Sequence, residues 1–148
     1  MADATRVADA VGAGMYARDR AAQALGIALE TIGPGRAVCR MTVRDDMVQG
    51  HGTCHGGIVF TLADTAFAYA CNAYNRVTVA LNAEIAFLAP TRAGDVLTAT
   101  ARERSRSGRT GIYDVEVTDH SGALVALFRG TSYETRGEVV PLPAPDRA

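Results

Sequence analysis

The feature that most constrains how this chain folds is an apolar segment, residues 58–72, with a single acidic residue at its centre. Its sequence is IVFTLADTAFAYACN, and Asp64 is the only formally charged side chain between Met47 and Asn75. The length and the alanines favour a helix over a strand. A helix that is apolar on every side is buried on every side. One sheet covers only one side of such a helix, so strong curl of the sheet or a second subunit must cover the rest.

Apolar and polar residues alternate through most of the remaining chain, which predicts strands that each bury one face. Short turns separate successive strands, so the strands should pair antiparallel. The expected fold class is α+β, with the apolar helix lying across one antiparallel sheet of five or six strands. The predicted elements are a helix over 15–25 and strands over 27–32, 36–44, 77–88, 95–104, 110–118 and 123–133. They form a single domain over 1–136, and a Pro-rich, flexible C-terminal tail is expected over 137–148.

Charge and composition exclude several classes of protein. The net charge is −1 over 148 residues, which argues against a nucleic-acid partner bound through counterion release. No stretch supplies the roughly 18 continuous apolar residues of a membrane span, so no membrane partner is expected. The N-terminus lacks the apolar region of a signal peptide, and three widely spaced cysteines do not suggest a disulfide framework. We therefore expect a cytoplasmic protein in a reducing environment.

Asp64 is the first candidate for chemistry. Burying a carboxylate costs several kcal/mol unless the group is paired, hydrogen-bonded or protonated. One interpretation is a structural acid that hydrogen-bonds to a helix terminus or to a nearby histidine. The other is a carboxylate kept in a dry site as a nucleophile or general base.

Gly56 and Gly57 open the apolar helix and are the second candidate. Unpaired N–H groups and a partial positive charge at a helix N-terminus can stabilise an oxyanion, although a glycine pair at a helix start is common. Asp64 lies eight residues beyond Gly56, about 12 Å along the axis at 1.5 Å per residue, so one helix does not bring both groups to one carbonyl. Two antiparallel copies of the helix do. If both groups are catalytic, the protein is at least a dimer with sites shared across the interface.

Other polar clusters are weaker candidates. His51 and His55 stand four residues apart with Cys54 between them, but no third zinc ligand follows at a typical spacing, so no metal is expected. A Cys54–His55 nucleophile pair is disfavoured because adjacent residues rarely align for proton transfer. The Arg-rich hairpin over 102–109 is either a solvated turn or a clamp for phosphate groups, and Arg92 is a second candidate for phosphate binding.

Four stretches resemble the hotdog-fold acyl-CoA thioesterases, and more narrowly the PaaI type, the hydroxyphenylacetyl-CoA thioesterases of bacterial phenylacetate degradation. The likeness covers roughly residues 15–133, and its most specific part is the pattern CHGGxxFxLADTAFAYACN. The four stretches are VQGHGTCHGGIVFTLADTAFAYACN (48–72), FLAPTRAGDVLTATA (87–101), TGIYDVEV (110–117) and VALFRGTS (125–132).

The resemblance implies a hotdog fold, in which an antiparallel sheet wraps a central helix and two subunits join their sheets edge to edge. It implies that Asp64 is the catalytic carboxylate and that the Gly56 N–H of the neighbouring subunit polarises the thioester carbonyl. His55 would shape the loop, and Gln49 stands where the family usually has Asn, with one more methylene before the amide. The residues expected to bind substrate are Gly57, Thr65, Arg92, Arg106 and Arg109.

The function implied is hydrolysis of an acyl-CoA, with phenylacetyl-CoA or a ring-hydroxylated relative as the expected substrate. No cofactor is needed, and a homotetramer built as a dimer of dimers is expected. One alternative is a non-catalytic hotdog protein that binds acyl-CoA. Another is a hotdog dehydratase or hydratase, but those enzymes carry an HxxPG-type motif that this chain lacks.

Overall fold

A computed structural model describes residues 2–142 and contains one six-stranded sheet around a central helix. Every strand pair is antiparallel, and the strand order is β1-β2-β4-β5-β6-β3. The expected hotdog arrangement is confirmed. The elements are α1 Ala2–Arg18, α2 Arg20–Ala24, β1 Ala28–Gly33, β2 Arg36–Thr42, α3 Gly56–Asn72, β3 Thr78–Phe87, β4 Val96–Ser107, β5 Thr110–Thr118 and β6 Leu124–Glu134.

The core forms where α3 lies across the concave face of the sheet. Phe67 is buried and meets Tyr113 edge-on, with 5.5 Å between the ring centroids. Gly130 pairs with Tyr113 across β5 and β6. A Cβ atom at Gly130 would stand 2.8 Å from the Phe67 ring, so the glycine lets the aromatic side chain reach the sheet.

No helix within residues 2–142 has the length and apolar character needed to cross a membrane.

The helix predicted over 15–25 is wrong in its bounds. Helix α1 begins at Ala2, and the chain breaks at Asp19, whose carboxylate accepts a hydrogen bond from the Ala22 N–H at 3.1 Å and starts α2. Gly12 packs against side chains of β1, and a Cβ atom at Gly14 would stand 2.3 Å from Val140. These glycines let α1 pack closely against β1 and Val140. Because glycine rather than a large apolar side chain occupies these contact positions, the apolar periodicity of this region is too weak to reveal the helix.

Strand β3 is an edge strand that pairs with β6 alone. The alternation over 77–88 predicts one buried face, but a bulge interrupts the register between Ala80 and Asn82. Val79 and Leu81 are 47% and 61% exposed, respectively. This end of the sheet therefore presents unpaired backbone groups beside apolar side chains.

The C-terminal segment packs against the body of the fold past the predicted domain boundary at 136. Asn75 is buried and has φ of 61°, and its side-chain amide donates to the Val140 carbonyl and accepts from the Val140 N–H, each at 3.0 Å. The Val77 N–H donates to the Gly137 carbonyl at 3.1 Å. The tail predicted over 137–148 thus starts with a segment that contacts the fold. Its last residues, 143–148, lie outside the described part of the chain.

Candidate active site

The loop before α3 is folded by its own hydrogen bonds. The His55 N–H donates to the Met47 carbonyl at 2.8 Å, and the Gln49 N–H donates to the Thr53 carbonyl at 2.9 Å. His55 caps α3, because its Nδ1 atom accepts from the Gly57 N–H at 3.4 Å. These contacts fix the direction in which the first turn of the helix points.

Gly56 offers a free hydrogen-bond donor. It is the first residue of α3, and its N–H meets no acceptor within residues 2–142. The neighbouring Gly57 N–H is occupied by His55, so the loop leaves the Gly56 donor available at the positive end of the helix. A cavity of about 320 Å³ opens beside Gly56, with Val59, Phe87 and Leu88 in its wall. The arrangement can bind a carbonyl oxygen or an oxyanion.

Asp64 lies on the side of α3 that the sheet leaves partly open. The residues of this open stripe are Gly57, Thr61, Asp64 and Ala68. The Asp64 carboxylate is half-buried, and burial raises its pKa above the ordinary value of 3.8. No described residue hydrogen-bonds to it or forms an ion pair with it. A structural role would need such a partner, whereas an unpaired carboxylate in apolar surroundings is suited to act as a base or nucleophile.

Within one chain the two groups are separate. Gly56 and Asp64 stand on the same straight helix, eight residues apart, which corresponds to about 12 Å along its axis. A carbonyl that accepts from the Gly56 N–H is therefore out of reach of the carboxylate in the same chain. If both groups act on one carbonyl, a second copy of α3 that runs in the opposite direction has to supply one of them.

Two predicted site residues use their polar groups inside their own elements. The Gln49 amide donates to the Thr53 hydroxyl at 2.6 Å and accepts from the His51 N–H. The Thr65 hydroxyl donates to the Thr61 carbonyl at 2.6 Å and is largely buried. In this arrangement Gln49 braces the loop, and Thr65 is satisfied within the helix.

The three candidate arginines are at two different ends of α3. Arg92 is exposed and follows Thr91, whose carbonyl accepts from the Cys54 N–H at 2.7 Å, so Arg92 lies near the N-terminus of the helix. The Arg106 guanidinium lies 3.7 Å from the centre of the Tyr74 ring, just beyond the helix C-terminus. Arg109 lines a small pocket at that same end. One chain does not bring the three arginines together around a single phosphate.

The cysteine and histidine alternatives lack support in the geometry. Within the described range, no three His, Cys, Asp or Glu side chains come close enough to hold a metal ion. Burial raises the pKa of the Cys54 thiol, which works against a thiolate nucleophile. The Cys54 Sγ–H points to the His55 backbone carbonyl, at 3.7 Å, rather than to its imidazole ring.

Sequence reasoning missed Phe87, the aromatic residue that borders the Gly56 donor. Its ring lies so close to Gly56 that a Cβ atom there would be 2.9 Å from Cζ. The alternating pattern over 77–88 assigns Phe87 to the face that meets the helix. No sequence signal indicates that its ring stops at the helix terminus, because the residues lie 31 positions apart and meet only in the folded sheet.

Comparison with known proteins gives consistent matches. The model of the family described as "Thioesterase superfamily" matches residues 51–126. The chain is similar to the acyl-coenzyme A thioesterase PaaI of Escherichia coli (strain K12), with 49% identity over 84% of this chain and 89% of the relative.

Two solved structures extend the match to the fold. The structure of the E. coli PaaI protein from the phenylacetic acid degradation operon has a TM-score of 0.89 and 46% identity, and the match covers 90% of this chain and 97% of that one. A hypothetical thioesterase protein with coenzyme A, from Streptococcus pneumoniae TIGR4, has a TM-score of 0.72 and 26% identity, over 76% of this chain and 87% of that one.

Proposed function

This chain belongs to the thioesterase superfamily, and from that premise we propose that it hydrolyses phenylacetyl-CoA or a ring-hydroxylated phenylacetyl-CoA to the free acid and CoA. Its closely similar relative is an acyl-CoA thioesterase, and a related thioesterase structure contains coenzyme A. The observation that carries the proposal is the unpaired, half-buried carboxylate of Asp64 within an otherwise apolar helix.

The chemistry uses one group from each of two subunits. The Gly56 N–H of one subunit donates to the thioester carbonyl oxygen and stabilises the negative charge that develops there. The Asp64 carboxylate of the other subunit takes a proton from water while the water oxygen bonds to the carbonyl carbon. The tetrahedral intermediate then collapses, the C–S bond breaks, and CoA leaves as a thiolate that picks up a proton.

A second route starts with attack by Asp64 itself. A carboxylate oxygen bonds to the carbonyl carbon and expels the CoA thiolate, which leaves a mixed anhydride on Asp64. Water then cleaves the anhydride and restores the carboxylate. Both routes require Asp64 to be ionised and Gly56 to donate, so both predict the same mutational losses. Hydrolysis in ¹⁸O-labelled water under single-turnover conditions separates them, because only the anhydride route allows label to enter Asp64.

The proposed dimer joins two β3 edges, so that the two copies of α3 run antiparallel. The unpaired edge strand with its exposed Val79 and Leu81 supports this choice. If Gly56 of each copy faces Asp64 of the other, the helices cross at Phe60, midway between them. Phe60 is partly buried and packs edge-on against Phe128, with 5.3 Å between the ring centroids. Association of two such dimers into a tetramer remains part of the proposal.

Release of free thiol from a panel of acyl-CoA esters tests the function. We expect Asp64→Asn to lower kcat by roughly a thousandfold, the range typical of a lost general base, with the circular dichroism spectrum unchanged. Undiminished thiol release in that variant would overturn the role of Asp64. A protein that binds acyl-CoA without releasing thiol would instead be the non-catalytic binding protein, and one that hydrates an enoyl-CoA would be the hydratase.

The proposed setting is the cytoplasm. Cys39, Cys54 and Cys71 are all buried free thiols, which supports a reducing environment.

Arg92 is the proposed contact for the CoA phosphates, because it is exposed beside the loop that carries Gly56.

A further inference from the structure

Phe87 makes an unusual contact for an exposed aromatic residue. Its side chain is 55% exposed, yet its ring end abuts the backbone of Gly56. A Cβ atom at Gly56 would stand 2.9 Å from Cζ and 3.3 Å from both Cε atoms, which is too close for an unstrained carbon contact. Phe87 thus fills the space beside the first helical residue, and only glycine fits there without displacement of the ring.

The sheet register explains why the ring points toward the helix. Phe87 pairs with Ala126 on β6, and Ala126 pairs with Val117 on β5. Ala126 and Val117 are fully buried on the face that meets α3. Phe87 belongs to this row but stands at the open edge of the sheet, so its ring is only partly covered within the chain.

The uncovered part of the ring borders the 320 Å³ cavity that also contains Gly56. Val59 and Leu88 add further apolar surface to the same wall, and a volume of this size lies at the lower end of the range for small-molecule pockets. A ligand whose carbonyl oxygen accepts from the Gly56 N–H therefore has to lie near the Phe87 ring.

We propose that Phe87 is a specificity-determining residue that packs against the aryl ring of the acyl group while its ring end fixes the Gly56 backbone. The proposal rests on the thioesterase function proposed above. Aromatic rings that meet edge-to-face or with an offset attract one another beyond the effect of buried area, so an aryl-acetyl group gains more from Phe87 than a short aliphatic acyl group does.

The first test compares kcat/KM for phenylacetyl-CoA and acetyl-CoA in Phe87→Leu and Phe87→Ala. We expect the ratio of the two values to fall by roughly tenfold in both variants, because both lose the aromatic ring. Phe87→Leu keeps apolar bulk at the sheet edge and so protects the test against a folding defect. Leu127→Ala, on the opposite face of the sheet and 42% exposed, is the matched control and should leave the ratio unchanged. A ratio that stays unchanged in the Phe87 variants, whether or not kcat/KM falls equally on both esters, would overturn the proposal.

The second test asks whether Phe87 fixes Gly56. Gly56→Ala keeps the backbone N–H but places a methyl group against the ring, so we expect acetyl-CoA hydrolysis to fall. In the double variant with Phe87→Ala the methyl group has room, and activity should exceed that of Gly56→Ala alone. Losses that simply multiply would contradict the contact. A wild-type protein that releases no thiol from any ester would defeat the proposed function, whereas normal release with an unchanged ester ratio defeats only the role of Phe87.

Discussion

The Asp64 carboxylate is held where its charge is poorly solvated. It is half-buried, has no partner within residues 2–142, and burial raises its pKa. A raised pKa makes the carboxylate a stronger base once it is ionised, which suits proton abstraction from water. The same surroundings disfavour the ionised form, so the folded protein loses stability when Asp64 gives up its proton.

The sign of the shift gives a prediction for pH. The folded state binds this proton more tightly than the unfolded state does. The protonated Asp64 side chain therefore contributes to the free energy of unfolding at low pH. That contribution is lost as pH rises from the unfolded pKa through the raised folded pKa. If Asp64 is the proposed base or nucleophile, activity follows the opposite course, because only the ionised carboxylate acts. We expect kcat/KM to rise with pH across a midpoint above 3.8.

Two measurements check the pH prediction. In thermal unfolding, the melting temperature of Asp64→Asn should exceed that of the wild type by a margin that grows as pH rises from 3.8 through the raised Asp64 pKa, levels off above it, and shrinks at low pH. Asp45→Asn, at an exposed position, serves as the control for the Asp-to-Asn exchange itself. A melting-temperature difference that is independent of pH would contradict the assignment of the shift to burial.

Single residues differ in how far their roles could be predicted from sequence. Asp64 is visible because it is the one charge in a long apolar segment, and Gly56 because a glycine pair opens that segment. Phe87 and Asn75 were not predicted, because each acts through a partner that only the folded sheet brings near. The hydrogen bond from the Gln49 amide to Thr53 was not predicted either, because it depends on how the loop folds and not on the residue types alone.

Strands were predicted better than the N-terminal helices. A period of two is a strong signal in β2, in β5 and in the first half of β4, where buried residues alternate with less buried ones. Helix α1 carries glycines at its packing contacts, and α2 has only five residues, so neither presents a clear apolar stripe. The bulge in β3 has no sequence signal of its own, and the alternation there predicts more burial than one chain provides.

At the element scale, Asn75 joins the turn after α3 to the C-terminal segment. Its positive φ favours glycine or asparagine, and its side chain makes two hydrogen bonds with Val140. We expect Asn75→Gly to lower the free energy of unfolding by about 2 kcal/mol, since it loses the two bonds and keeps the backbone conformation. Asn75→Ala should cost roughly 1 kcal/mol more, because alanine is strained at this φ.

Urea denaturation of the two Asn75 variants separates the contributions. Equal losses in Asn75→Gly and Asn75→Ala would mean that backbone strain contributes nothing. A loss in Asn75→Gly below a few tenths of a kcal/mol would mean that the link to Val140 is not stabilising.

The β3 edge gives a second prediction at this scale. Leu81→Lys adds a charge to the exposed edge strand, and two-fold pairing of β3 would bring two such charges close together. We expect analytical ultracentrifugation to show dissociation toward monomers, with thiol release falling in parallel. Thr31→Lys places the same charge on β1, at the opposite edge, and is the control that should remain associated. A monomeric Leu81→Lys protein with full activity would refute the shared site.

At the scale of the whole molecule, the 12 Å between Gly56 and Asp64 predicts that two inactive chains can restore each other. Gly56→Pro removes the N–H at the first helical position, where the helix backbone accepts proline, and His55 before it already has the extended backbone that proline requires. The variant also carries Phe87→Ala, because a Cβ atom at position 56 would stand 2.9 Å from the Phe87 ring. A hybrid of this variant with Asp64→Asn has one intact site and one doubly defective site. When equal amounts of the two variants exchange subunits, about half of the dimers are hybrids, and each hybrid has one intact site of two. The mixture should therefore recover about a quarter of the wild-type rate.

Controls for the mixing experiment follow from the same geometry. Each variant alone should stay inactive, and the recovered rate should vanish when exchange is blocked by a chemical cross-link formed within each dimer beforehand. Recovery that is absent despite demonstrated exchange would mean that both groups act within one subunit.

The two edges of the sheet also decide where assembly stops. Pairing through β3 uses the open edge of each copy and leaves only the β1 edges at the outside. A bulge interrupts strand β1 between Leu29 and Thr31. At the bulge, the Glu30 carboxylate forms an ion pair with Arg40, with 3.1 Å between Oε1 and Nε. A kinked, charged border of this kind is a poor template for another strand. If two chains pair through β3 as proposed, the β1 borders support no further strand pairing, and association ends in a closed pair rather than a fibre.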